Sequence, residues 1–469
     1  MADFTRKMGV LVLAVFSAGC ATLEPPLPVA DPGLPPRWSA PLADVVWEAE
    51  LPARAAADIG WRDFFRDPNL RTLIARALAN NRDLRVAVLN IEKARAQYRI
   101  QRSERLPWVD ANATLQRIGG DTPAPSSYSA GIGVTGFELD LFGRLRNLSD
   151  AALQQYLAQE AVRRAVHLAL VAEVANAYLT LAADHELFGL SQATLKNYQD
   201  SYALIEKRFS LGAVSGLDVE QIRTQVESAR ADVARYEGQV VLAVNALGLL
   251  VGAPVEAALF PAGLNGGMIG LVAPPAGLPS ETLLRRPDVQ AAEHRLRAAN
   301  ANIGVARAAY FPSISLTGSV GSASGDLSKL FGNGTLLWSF IPQLNVPIFQ
   351  GERLRATVDS SVADRDIALA EYEKSIQTGF REVADALASA VTLTKQYEAQ
   401  RALVEAATRA ERLSRIRYQA GRDSYLGLLD AQRTLYAAQQ GLLATRFSRQ
   451  TNRLTLYKVL GGGWKERGR

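Results

Sequence analysis

Two periodicities run along this chain, and each is written twice. Short runs alternate between apolar and polar positions: Val109, Ala111, Ala113 and Leu115 with Asp110, Asn112, Thr114 and Gln116; Tyr128, Ala130, Ile132 and Val134 with Ser129, Gly131, Gly133 and Thr135; Ile314, Leu316 and Val320 with Ser313, Ser315, Thr317 and Ser319; Trp338, Phe340, Leu344 and Val346 with Ser339, Gln343 and Asn345. A period of two sends successive side chains to opposite faces of a strand. These runs predict four strands, at about 108–118, 128–137, 312–321 and 336–347, each with one apolar and one polar face.

The other periodicity alternates steps of three and four. Its seams are Val171, Val174, Tyr178, Leu181, His185, Phe188, Gln192 and Leu195, and Phe380, Val383, Leu387, Ala390, Thr394, Tyr397, Arg401 and Val404. A repeat near 3.5 residues is the signature of coiled-coil packing. A helix from about residue 144 to about residue 208 would run on the order of 100 Å, more than a compact domain needs. Segments 212–216 and 421–424 break the pattern, and a second helix returns near Leu217 and near Leu426. Each half therefore predicts a long helical hairpin, at about 144–250 and 352–460.

The doubling is an internal repeat at a constant offset of 209 residues. Arg144-Leu145-Arg146 lies over Arg353-Leu354-Arg355, Glu173-Val174-Ala175-Asn176-Ala177 over Glu382-Val383-Ala384-Asp385-Ala386, and Arg208-Phe209, Gly212, Ser215 and Leu217 over Arg417-Tyr418, Gly421, Ser424 and Leu426, with no gap between anchors. The expected organisation is a signal peptide at 1–19, a lipidated, proline-rich arm at 20–60, a first repeat at 61–252, an equatorial linker at 253–282, a second repeat at 283–461 and a tail at 462–469.

The N-terminus changes the setting. Arg6 and Lys7 precede an apolar run from Met8 to Ala18 and then Gly19-Cys20, a secretory signal too short to span a bilayer. Cys20 is the chain's single cysteine, so no internal disulfide forms, and its position reads as a lipidation site, although Ser17 stands where such signals carry an aliphatic residue. Ala21, where a retained lipoprotein would carry Asp, fits outer-membrane sorting. No later stretch of about 18 uncharged apolar residues occurs, so a membrane crossing has to be made by strands. The net charge of +5 is small beside 52 basic and 47 acidic residues, which are interspersed, and this argues against nucleic acid as a partner.

A soluble half-buried sheet would give the same alternation. The secretion signal and the aromatic residues near strand ends (Trp108, Tyr128, Phe311, Trp338) point instead to a membrane barrel with a wet interior. Four strands cannot close a barrel, and an open edge in lipid leaves backbone groups unpaired. Two chains would supply eight strands and three would supply twelve; because eight strands fill their interior with side chains, a conducting pore favours twelve or more.

Several longer motifs resemble the outer membrane efflux protein family, in its OprM-like, NodT-type lipoprotein subgroup related to TolC. They are Trp61-Arg62-Asp63-Phe64-Phe65 with Asp67-Pro68, Arg285-Arg286-Pro287-Asp288-Val289, the run from Ala299 to Arg307, Phe311-Pro312-Ser313-Ile314, Tyr425-Leu426 with Leu429-Asp430-Ala431-Gln432-Arg433, and Gly461-Gly462-Gly463-Trp464. The resemblance implies an α+β membrane protein: a homotrimer with a twelve-stranded outer-membrane barrel and a periplasmic α-barrel of coiled-coil hairpins closed at its far tip. It implies a passive exit duct for drugs or metabolites, working with a periplasmic adaptor (membrane fusion protein) and an inner-membrane transporter of RND type, with no cofactor beyond the lipid on Cys20. The hairpin turns, with Gly212, Ser215, Gly421 and Ser424, would meet the adaptor. Leu426, Asp430 and Arg433 fall at spacings of four and three and share one helix face. In the resembling motif they form the periplasmic constriction, Leu as an apolar ring, Asp as a ring of charge and Arg as its partner; the plain alternative is a solvated Asp/Arg pair.

Gly131-Ile132-Gly133-Val134-Thr135-Gly136 matches GxGxxG literally, but it lies inside an alternating strand and does not open a helix, so small residues on a lumen-facing or closely packed strand explain it better than a nucleotide. His167, His185 and His294 have no metal-ligand spacing, and no nucleophile–base order recommends an all-helical hydrolase. A non-conducting periplasmic scaffold sharing the coiled hairpins is the other alternative.

Overall fold

The computed structural model describes residues 23–35, 58–119, 126–264 and 280–466, so Cys20 lies outside the described residues. In chain order the elements are α1 (Trp61–Phe64), α2 (Pro68–Asn80), α3 (Arg82–Ser103), β1 (Asp110–Gln116), β2 (Ser127–Leu139), α4 (Arg144–Ser210), α5 (Gly216–Val251), α6 (Pro287–Ala308), β3 (Ser313–Ser324), β4 (Leu336–Asn345), α7 (Arg353–Gln419) and α8 (Tyr425–Val459). The chain divides into two compact units: Met1–Asp31, Leu89–Ala161 and Gln290–Lys374 form one, and Pro32–Val88, Val162–Val289 and Ser375–Arg469 the other.

The first unit holds one antiparallel sheet in the order β1-β2-β3-β4, so the two copies join where β2 pairs with β3. Its register carries the period-two pattern across all four strands. Ala111, Ile132, Val320 and Trp338 stand in one row, and Asp110, Gly133, Ser319 and Ser339 in the next, with the last two hydroxyls 2.8 Å apart. A bulge between Val134 and Phe137 inserts one residue into β2. Gly136 takes the left-handed φ of 67° that such a bulge requires, and its N–H donates to the Thr317 hydroxyl. Without that extra residue Phe137 and Leu139 would turn to the polar face; with it they line up with Leu316 and Ile314. At the exit from β2, Arg144 forks onto Glu138 at 2.7 and 2.6 Å, and Asp140 accepts from the backbone of Leu145 and Arg146 to start α4.

In the second unit the segment around Trp61 packs against the end of α8 and the residues that follow it. Asp67 caps α2, accepting from Asn69 and Leu70, with Pro68 at the first helical position, where its missing N–H costs nothing. Trp61, Phe64 and Phe65 are fully buried, Phe64 stacks on Tyr457 at 3.8 Å, and the Tyr457 hydroxyl donates to the Ile59 carbonyl. The tail closes this core through Trp61 N–H to Lys465 O and Arg62 N–H to Glu466 O. Helix α4 contains a window apolar enough to cross a membrane by composition, yet 56% of that window is buried inside the protein. Along its seam Val171, Val174, Tyr178 and Leu181 are buried; along the α7 seam only Val383 and Leu387 are.

Candidate functional site

Both hairpin turns are built the same way at their first half. Gly212 and Gly421 adopt φ of 71° and 69°. Each N–H reaches back three residues, to Phe209 O and to Tyr418 O, while the next residue's N–H bonds to Arg208 O and to Arg417 O. This is the Schellman arrangement, which satisfies the last carbonyls of a helix only where the residue after it tolerates the left-handed region.

The second halves differ. Ser215 caps α5 in a reciprocal box, its hydroxyl accepting from Asp218 N–H while the Asp218 carboxylate accepts from Ser215 N–H. Ser424 occupies the equivalent place without a side-chain cap. There the turn is braced by Arg417, which grips Asp423 at 2.5 and 2.9 Å; this hydrogen bond holds the Asp423 carboxyl below the usual carboxylate range. The residue equivalent to Asp423 is Val214, so Arg208 stands instead over the Tyr418 ring, 5.0 Å from its centroid.

That contact belongs to a cluster joining the hairpins. Tyr198, Ile205, Ile222, Val226 and Ala229 of the first hairpin are buried against Tyr418, Tyr425, Leu428 and Leu429 of the second. A cleft of about 230 Å³ opens beside it, lined by Asp200, Ser201, Arg415 and Gln432 among others, and the Tyr418 hydroxyl is buried there with no hydrogen-bond partner among the described residues. Further along, Tyr436 donates to Asp232 and Gln440 to the Tyr236 hydroxyl, pinning α8 to α5.

Because Tyr425, Leu428 and Leu429 turn into the cluster, Leu426, Asp430 and Arg433 are left outside it. All three are exposed, Leu426 at 55%. Among the described residues neither Asp430 nor Arg433 makes an ion pair, with each other or with any other group. Burial pushes the Tyr198 phenol up, and the Arg433 charge pulls it the other way. Spacing alone puts these three residues on one helix, and gives no sign of the cross-hairpin packing of Tyr198 and Tyr418 or of the grip of Arg417 on Asp423. The signal was present in the repeat, where Arg208-Phe209 lies over Arg417-Tyr418, but pairing across hairpins is not legible from spacing.

Among the described residues no group of three or more His, Cys, Asp or Glu side chains could hold a metal. His294 hydrogen-bonds Gln154, and burial pushes His167 down to about 4.

Comparison with known proteins matches the chain to the outer membrane efflux protein family over residues 73–253 and 278–462. The chain belongs to that family. It is 47% identical over 472 residues to the toluene efflux pump outer membrane protein TtgC of Pseudomonas putida, covering 98% of this chain and 96% of that protein. It is 45% identical over 443 residues to the outer membrane protein OprJ of Pseudomonas aeruginosa, with 92% of each covered. Among solved structures it is similar to the open state of the Neisseria gonorrhoeae MtrE outer membrane channel, with a TM-score of 0.87, 39% identity and coverage of 96% of this chain and all of that one. It is likewise similar to CusC, with a TM-score of 0.85, 41% identity and coverage of 94% and 100%.

In this outer membrane efflux protein, an exit channel that reaches from the outer membrane into the periplasm, the signature motifs sort by physical role. Trp61, Phe64 and Phe65 are core, and Asp67 is a cap. Arg286 is a buried clamp: it forks onto Asp288 at 3.1 and 2.7 Å, reaches Glu382 at 2.8 Å and donates to Val459 O. Only the motif at 425–433 presents exposed side chains at a hairpin turn.

Proposed function

We propose that three copies of this efflux protein form a continuous duct. Their sheets close a twelve-stranded barrel and their hairpins a periplasmic α-barrel, with Cys20 carrying the lipid, the turns at Gly212, Ser215, Gly421 and Ser424 meeting a periplasmic adaptor, and an RND-type transporter supplying the cargo. The observation that carries this is the four-stranded sheet with two unpaired edges. β1 and β4 each pair on one side only among the described residues, and the apolar row ends in Trp338, 71% exposed. In lipid such edges leave backbone groups without partners, which further copies supply. Names of relatives direct the cargo reading to apolar solvents and antibiotics. Reconstitution in a planar bilayer tests the duct: ion current from a cross-linkable trimer is expected, and no current under any condition would favour the scaffold.

Replacing Gly212 and Gly421 together by leucine is expected to abolish efflux while the trimer still assembles, because leucine is strained at a φ near 70° and both docking turns would reshape. Efflux that persists in the double variant places adaptor docking elsewhere.

The Leu426, Asp430 and Arg433 face is the constriction in this reading. Among the described residues of one chain Asp430 and Arg433 make no ion pair, so the charges are available to neighbouring copies. Holding a gate 99% shut needs roughly 2.7 kcal/mol, half the swing that inverts such a population. One exposed pair supplies about 0–1 kcal/mol, so three pairs come near that figure only with the apolar ring of Leu426. Asp430→Ala combined with Arg433→Ala is expected to raise conductance and sensitivity to large antibiotics, with single changes leaking partially. Wild-type conductance in the double variant at both low and physiological salt rejects the gate.

A further inference from the structure

The run from Ala299 to Arg307, a signature without a role in the duct, lies on α6 and faces the N-terminal arm. The arm is rich in proline, with Pro25, Pro26, Pro28, Pro32 and Pro35 in its described part. Proline has no N–H, so such a segment cannot add to a sheet as a strand; it stays extended and offers carbonyl oxygens. A surface that holds it must present side-chain donors, and α6 does. Asn300, only 1% exposed, donates both to Glu24 Oε1 and to Pro25 O at 2.8 Å. Two turns further along the same face, Arg307 donates to Leu23 O at 3.2 Å. Between them Gly304 keeps the seat open: a Cβ there would stand 3.1 Å from Glu24 N and 2.8 Å from Asn147 Cγ. Spacings of four and three put the three residues on one helix face. The arm is held again at Asp31, whose N–H donates to Glu373 Oε1 at 3.0 Å.

We propose that Asn300, Gly304 and Arg307 form a binding site for the chain's own residues 23–25, and that this site fixes where the lipid-bearing N-terminus enters the membrane. Leu23 is three residues from Cys20, a reach of at most about 11 Å. Arg307 is six residues before β3 begins. The acyl chains are thereby tethered beside the start of a membrane strand and not at the end of a free forty-residue leash. The anchoring half of this inference rests on the lipidation of Cys20; the seat does not.

Hydrogen–deuterium exchange on the full-length protein in detergent, with the intact mass read in parallel, tests both halves. In wild type, residues 23–33 are expected to be protected and Cys20 to carry lipid mass. Asn300→Ala and Gly304→Leu are each expected to speed exchange of 23–33 at least tenfold while 127–139 and 313–324 stay protected and the lipid mass is unchanged. Cys20→Ser is expected to keep the arm protected. Unchanged protection in Asn300→Ala, which is free of the steric burden of Gly304→Leu, would overturn the seat, as would loss of protection in Cys20→Ser alone. A protected arm on wild-type protein without lipid mass would overturn the anchoring half and leave the seat standing.

Discussion

Arg286→Ala is expected to destabilise the second unit by about 3 kcal/mol, the lower end of the cost of removing one partner from a buried ion pair. The guanidinium is buried at the start of α6, while Asp288 and Glu382 keep part of their surface in water, so the stranded carboxylates recover some solvation and the penalty stays below the upper range. What is lost is a fork that ties three segments together: the start of α6, the body of α7 through Glu382, and the end of α8 through the Val459 carbonyl. Arg286→Lys should recover little, since an ammonium cannot make the planar fork. Acid should mimic the substitution. Burial pushes the Asp288 carboxyl up, and its hydrogen bond and charge contact with Arg286 outweigh this and hold it below the usual range. A carboxyl depressed in the folded state contributes stability above about pH 4 that is lost as pH falls through its folded value. The gap in circular-dichroism melting midpoint between wild type and Arg286→Ala should therefore be wide at pH 7 and narrow in acid. Equal midpoints at pH 7 would show that the clamp is dispensable.

The fold class was legible because two periodicities, each repeated at one offset, survive in the residues themselves. Ile132, Val320 and Trp338 alternate with polar neighbours whether or not one knows they share a row. What stayed hidden depends on contacts between distant segments. The bulge at Gly136 is invisible to an alternation count, because it corrects the face of Phe137 and Leu139 after the run has apparently ended. Composition gives the proline-rich arm only as an extended segment, whereas its carbonyls are gripped by Asn300 and Arg307 nearly three hundred residues away. At the hairpin turns, spacing placed Leu426, Asp430 and Arg433 on one face. That they are left exposed follows from the tyrosines Tyr198, Tyr418 and Tyr425 taking up the buried side, a choice made by the packing of one hairpin on the other.

Gly321→Ala is expected to disrupt the sheet more than any other single methyl group, and the reason also disposes of the GxGxxG match. Gly321 lies directly across from Gly131 in the register, and the two backbones approach so closely that a Cβ on Gly321 would stand 2.3 Å from Ala130 O and 2.7 Å from Gly131 Cα. A Cβ on Gly131 or Gly133 would likewise stand 2.8 Å from a β3 carbonyl. The glycines of the motif are therefore spent on strand approach, and Gly136 on the bulge, with no helix opening behind them to receive a phosphate. Since the obstructing atoms are backbone, the strands themselves must part, which costs about 1–3 kcal/mol or more. The damage falls on the β2–β3 seam that joins the two copies, so closure of the barrel should suffer with it. Gly119→Ala provides the control, because among the described residues nothing lies within 4 Å of its added Cβ and its backbone is outside the left-handed region. Recovery of the proposed trimer from outer-membrane extracts should fall sharply for Gly321→Ala and be unchanged for Gly119→Ala. Wild-type recovery and conductance for Gly321→Ala would mean that the two strands separate without cost, and that the close approach does not hold the sheet together.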